Sequence, residues 1–96
     1  MPYIKKEQRV ELDKEIEALI AKLQKNQDVG EYNYSISRLI HAYVLKEGLR
    51  YKNLNAACGI LKCATEEFIR TVVSPYEDEK IISNGSVSEL DDKNGG

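Results

Sequence analysis

The stretch "NAACGILKCATEEFIR", residues 55–70, decides how this chain is read. It has the apolar spacing of an α-helix, with Cys58, Leu61, Thr65, Phe68 and Ile69 recurring at intervals of three and four, yet it carries Gly59 in its interior. With Leu54 set at zero on a helical wheel, the stripe from Leu54 to Val72 stays within about 60°. Ala56, Gly59, Cys63, Glu66 and Arg70 fall on the opposite side. A solvated helix would gain roughly 1 kcal/mol from alanine in place of Gly59, so the glycine marks a face where a second helix or a ligand comes close to the backbone. An exposed, tolerated glycine is the alternative. The small-residue face of Ala56, Gly59 and Cys63 is expected to be an oligomer interface, crossed by a helix from a second copy of the chain.

Two further stripes lie upstream. Leu12, Ile16, Leu19, Ile20 and Leu23 define an amphipathic helix over 10–24, in which Asp13 is expected to cap the main body and residues 4–9 form a separate short turn. A single helix from about Lys5 is the other possibility. After the polar loop "NQDVGE", Ile36, Leu39, Ile40, Tyr43 and Val44 predict a helix over roughly 31–47, stopped by Gly48. The third helix is predicted over 51–73. In "SPYE", Ser74 reads as an N-cap, Pro75 as a first helical residue and Glu77 as the partner in a capping box, so the chain bends there into a short helix ending at Asn84 and Gly85. The remainder, "SVSELDDKNGG", is too polar to bury and is expected to be disordered.

These elements predict an all-α fold: a small three-helix domain over residues 1–85 with a short helical extension after Pro75, followed by an acidic tail at 86–96. Leu19, Leu23, Ile36, Leu39, Ile40, Leu54, Leu61, Phe68 and Ile69 are expected to be the most buried residues. With 96 residues the core is small, and self-association as a dimer or higher oligomer is expected. No apolar run is long enough to span a bilayer, and nothing at the N-terminus resembles a secretory signal, which predicts a cytoplasmic protein.

The charge balance is −2, distributed unevenly. Residues 77–92 hold six acids against Lys80, and the rest of the chain has 13 basic and 10 acidic residues, a net of +3. That excess is far from the basic stripe of a duplex-binding domain. Cys58 and Cys63 lie about 140° apart on one helix and cannot pair with each other while it stays intact, so both are read as reduced thiols. His41 is the one histidine, and the ligand spacing disfavours a metal site. There is no Gly-rich phosphate loop, metalloprotease motif or serine elbow, and no catalytic residue or cofactor is expected.

Opposite the apolar stripe of the second helix lies a strip of Tyr34, Arg38, His41 and Leu45, spaced four, three and four. Tyrosine and arginine are enriched at contacts, and arginine offers paired donors to phosphate or carboxylate. Together with Arg50, Tyr51, Lys52 and Asn55 at the start of the third helix, and Arg70 and Tyr76 beyond it, this strip predicts a cleft for an anionic ligand. A nucleotide-like small molecule is the first expectation and an acidic protein segment the second. Stacking on the tyrosines and phosphate contacts from the basic groups would bind such a ligand without turnover.

Taken together, "PYI", "ELD" followed by "EIEAL", "NYSISRLIHAY", "GLRYKNLNAACGILKCATEEFIR" and "VVSPYEDEKIISNG" resemble a family of short proteins encoded in phage, prophage and prokaryotic genomes, described as a domain of unknown function. The resemblance covers residues 2 to about 87. This sequence departs from the family pattern at Lys14, Lys62 and Thr71. The resemblance implies a phage-type setting in the host cytoplasm and a non-enzymatic binding role, either sequestering a small signal of host defence or acting as an oligomeric adaptor or inhibitor of a host or phage protein.

Overall fold

A computed structural model describes residues 3–92, and every regular element among them is helical. Three long helices, α1 (Lys6–Gln24), α2 (Val29–Glu47) and α3 (Tyr51–Phe68), are followed by a π turn (Ile69–Val73), a shorter helix α4 (Ser74–Asn84) and a 3-10 turn (Glu89–Asp91). The all-α fold is therefore the one the stripes predict. The chain divides into two compact units, Met1–Leu61 and Lys62–Gly96. The first holds α1, α2 and the leading part of α3.

α1 does not break at Asp13. It runs without interruption from Lys6 because its start is tied about two turns earlier than a cap at Asp13 would place it. The Gln8 side chain accepts the Lys5 N–H at 3.0 Å, and Arg9 Nε donates to the Ile4 carbonyl at 3.2 Å. Residues 6–13 contain neither glycine nor proline, so nothing opposes continuation, and Asp13 becomes one more acid on an exposed face. The chain turns at Gln27, which has a φ of 51°, and Asn26 Nδ2 anchors the turn by donating to the Glu31 carboxylate at 3.1 Å. Asp28 then caps α2 by accepting from the Gly30 N–H at 2.9 Å, which starts the helix two residues before the expected position.

Gly48 ends α2 as predicted. Its φ of 113° is in the range that favours glycine, and its N–H closes the last turn on the Val44 carbonyl at 2.7 Å. Asn53 makes the connection to α3 compact: its Nδ2 donates to the carbonyls of Glu47 at 3.1 Å and Gly48 at 2.9 Å. It is 7% exposed, and Ala57, one turn further along the same face, is 5% exposed. The line along which α3 is buried thus lies about 80° round the helix from Leu54.

That rotation changes the expected core. Of the nine residues predicted to be most buried, Leu23 is buried and Ile40 is half-buried, whereas Leu19, Ile36, Leu39, Leu54, Leu61, Phe68 and Ile69 are exposed. Leu39 retains 65% and Phe68 58% of its surface. The apolar stripes exist where the spacing puts them. In α3 the small residues Asn53 and Ala57 are the buried ones, and the large side chains of the stripe stay exposed.

Within the second unit the helix does not restart at Ser74. Ser74 has helical φ and ψ of −63° and −46°, not the extended backbone of an N-cap, and its N–H bonds to the Ile69 carbonyl five residues back. Proline lacks a donor and crowds the carbonyl four residues before it, and a π turn is one of the recurring ways a helix accommodates such an interruption. Pro75 is therefore carried inside a continuing helix. α4 ends at Asn84, with Gly85 at a φ of 91° as its cap, where the sequence places it. Of the predicted tail, residues 93–96 lie outside the described residues. Within 86–92 the Ser88 hydroxyl accepts from the Leu90 N–H, and the Asp91 carboxylate accepts from the N–H groups of Val87 and Ser88.

Candidate functional site

The hollow with the most defined chemistry lies in the first unit, between α2 and α3. Ile40, His41, Val44 and Leu45 form one wall, Leu54, Ala57, Cys58 and Leu61 the other, and the groove, open to solvent, offers about 390 Å³. Ala57, 5% exposed, lies among the larger side chains that line it. His41 and the exposed thiol of Cys58 are the polar groups in an otherwise aliphatic lining.

The strip predicted on α2 divides in two. His41 and Leu45 face the groove. Tyr34 and Arg38 engage each other: Arg38 Nη1 donates to the Tyr34 hydroxyl at 2.9 Å, with the guanidinium carbon 5.7 Å from the ring centroid. This is an i, i+4 pair on an exposed helix face, which turns one of the arginine's donors and the neighbouring ring toward each other rather than toward a ligand. Arg50 supplies the backbone carbonyl that accepts the first N–H groups of α3, from Asn53 and Leu54, both at 3.0 Å. Tyr51, Lys52 and Asn55 follow it as exposed residues of the opening turns.

Arg70 and Tyr76 belong to the second unit, and each has a partner on its own helix. Arg70 Nη2 makes a forked contact with the Glu67 carboxylate at 2.9 and 3.1 Å, and Lys80 Nζ stands 5.4 Å from the centre of the Tyr76 ring. The same unit contains a more polar hollow of about 630 Å³ between α4 and the segment after it, bordered by Glu77, Asp78, Lys80 and Asp91. Its acids make it a poor receptor for an anion.

On the opposite face of α3, Ala56, Gly59 and Cys63 are half-buried. A Cβ built on Gly59 would meet no heavy atom within 4 Å, so no other segment among the described residues explains the glycine. Among the described residues no three potential metal ligands come together, and no helix is long and apolar enough to cross a membrane. Asn53, which ties the end of α2 to α3, and Ala57 in the groove lining are the residues that the sequence pattern did not single out. The available signal was a small polar residue five positions after the stop at Gly48 and an alanine one turn later.

The fold and its groove define a small all-α protein made of amphipathic helices. The family model described as "Domain of unknown function (DUF6899)" matches residues 1–87, and the chain belongs to that family. Neither the curated proteins nor the solved structures contain a match to it.

Proposed function

We propose that this protein is a non-enzymatic adaptor or inhibitor, of the kind that phage genomes encode, which assembles with itself and engages a protein partner through apolar helical faces. The observation that carries this reading is the exposure of the large aliphatic side chains on all three long helices, beside a groove lined almost entirely by aliphatic groups. Contiguous exposed apolar surface of this kind marks interaction sites. The nucleotide-sequestering reading has weaker support, because Arg38 is held by Tyr34 and Arg70 by Glu67.

The two readings separate in one pair of measurements. Thermal-shift titration with mononucleotides and cyclic dinucleotides is expected to leave the melting temperature unchanged, while affinity capture from host lysate is expected to return one stoichiometric protein. A saturable shift with a nucleotide, and no captured protein, would replace the adaptor reading with the ligand one.

A further inference from the structure

We propose that the groove between α2 and α3 is filled by α1 of a second copy of the chain, and that the two copies exchange their α1 helices reciprocally. The proposal rests on the adaptor reading only in requiring self-assembly. It adds the surface and the segment that carry it.

α1 is the one long helix whose apolar stripe has a ready counterpart. Leu12, Ile16, Leu19 and Ile20 are all exposed, and of the stripe only Leu23 is buried within its own chain. Ile16, Leu19 and Ile20 span four residues, about 6 Å along the helix axis, and the groove wall from Leu54 to Leu61 is about 10 Å long. A dry cavity of about 150 Å³ holds one benzene-sized group. The 390 Å³ of this groove therefore suits two or three branched side chains, the number that stretch of α1 presents.

Charge supports the same pairing. Exposed acids border the α1 stripe: Asp13 and Glu17 lie about 60° and 100° from Ile16 on one side, and Glu15 about 100° on the other. The groove lining contains no acid. Around it, Arg38 stands one turn before His41, and Lys46, Arg50 and Lys52 lie between the end of α2 and the start of α3 against the single acid Glu47, a basic excess. An acid-bordered apolar helix complements an apolar groove with basic surroundings. Each chain holds both halves of the contact and leaves both uncovered. A two-fold exchange covers all four surfaces at once, whereas a foreign helix in the groove would leave the α1 stripe exposed.

Cys58 in the groove wall provides the test. In a Cys63→Ser background, Ile16→Cys places a second thiol on the α1 stripe, and Lys14→Cys places one about 160° away as the control. Under oxidised glutathione, the Ile16→Cys protein is expected to form a disulfide-linked dimer through Cys58, identified by peptide mapping, and the Lys14→Cys protein is not. Leu45→Glu, at a groove position that is 84% exposed and so leaves the single-chain fold intact, is expected to weaken self-association at least tenfold. A cross-link to Cys58 within one chain would overturn the two-copy form. Association that persists in Leu45→Glu, with no cross-link at Ile16→Cys, would overturn the groove assignment. Either result leaves the adaptor reading to be judged by partner capture alone.

Discussion

Replacing Asn53 by alanine isolates the contact that makes the α2–α3 pair compact. The amide donates to two carbonyls at the end of α2, at 3.1 and 2.9 Å, from a position that is 7% exposed. A hydrogen bond of this kind contributes about 1 kcal/mol net, so the direct loss is about 2 kcal/mol. The Gly48 carbonyl keeps the Arg50 N–H at 3.0 Å as a second partner, which confines the penalty of an unsatisfied group to Glu47. Against this, alanine in a helix is better than asparagine by about 0.6 kcal/mol. The expected result is a net destabilisation of about 1–2 kcal/mol, and Asn53→Asp, which turns a carboxylate toward the same carbonyls, is expected to be worse. Urea unfolding followed by far-ultraviolet circular dichroism measures both, at a single protein concentration so that association contributes equally. Helix propensity alone predicts the opposite sign. An Asn53→Ala protein as stable as the parent, or more so, would refute the assignment of Asn53 as the connection's anchor.

Substitutions at three other positions have defined outcomes. Gly59→Ala is expected to stabilise the protein by up to about 1 kcal/mol, since a Cβ there meets nothing in the chain; loss of association in Gly59→Leu would move the self-contact to the Ala56, Gly59 and Cys63 face. Leu61→Ala is expected to cost about 1–2 kcal/mol in dilute protein, below the 2–5 kcal/mol of a fully buried leucine because Leu61 retains 40% of its surface, and the cost should rise with protein concentration as association covers it. Tyr34→Phe removes the hydroxyl that accepts from Arg38 on an exposed face, and is expected to change stability by less than about 0.5 kcal/mol in equilibrium unfolding.

Helix existence was legible because the period of the apolar residues is a property of the sequence itself, and the ends at Gly48 and Gly85 were legible because each adopts a positive φ. Asp13 misled because an acid that can cap is equally at home on the solvated face of a longer helix, and the Gln8 contact that starts α1 is a competing local bond. Ser74 and Pro75 misled for a related reason: the pattern of a helix start is also satisfied by a π turn inside a helix. Burial was the least legible feature. Periodicity says which face is apolar, and it is silent on whether the covering surface belongs to the same chain. At the candidate site the spacing put Tyr34, Arg38, His41 and Leu45 on one strip, which the fold divides: Arg38 bonds Tyr34, whereas His41 and Leu45 line the groove with Ala57, whose small side chain carries no signature of its own.

The central claim is that one copy of this chain leaves its apolar helical faces uncovered and that a second copy covers them. Sedimentation velocity of the unmodified 96-residue chain, run from micromolar to near-millimolar concentration, tests it. The account predicts a species of twice the chain mass that dominates throughout most of this range and dissociates on dilution or in Leu45→Glu. A single species of one chain mass at the highest concentration would contradict it.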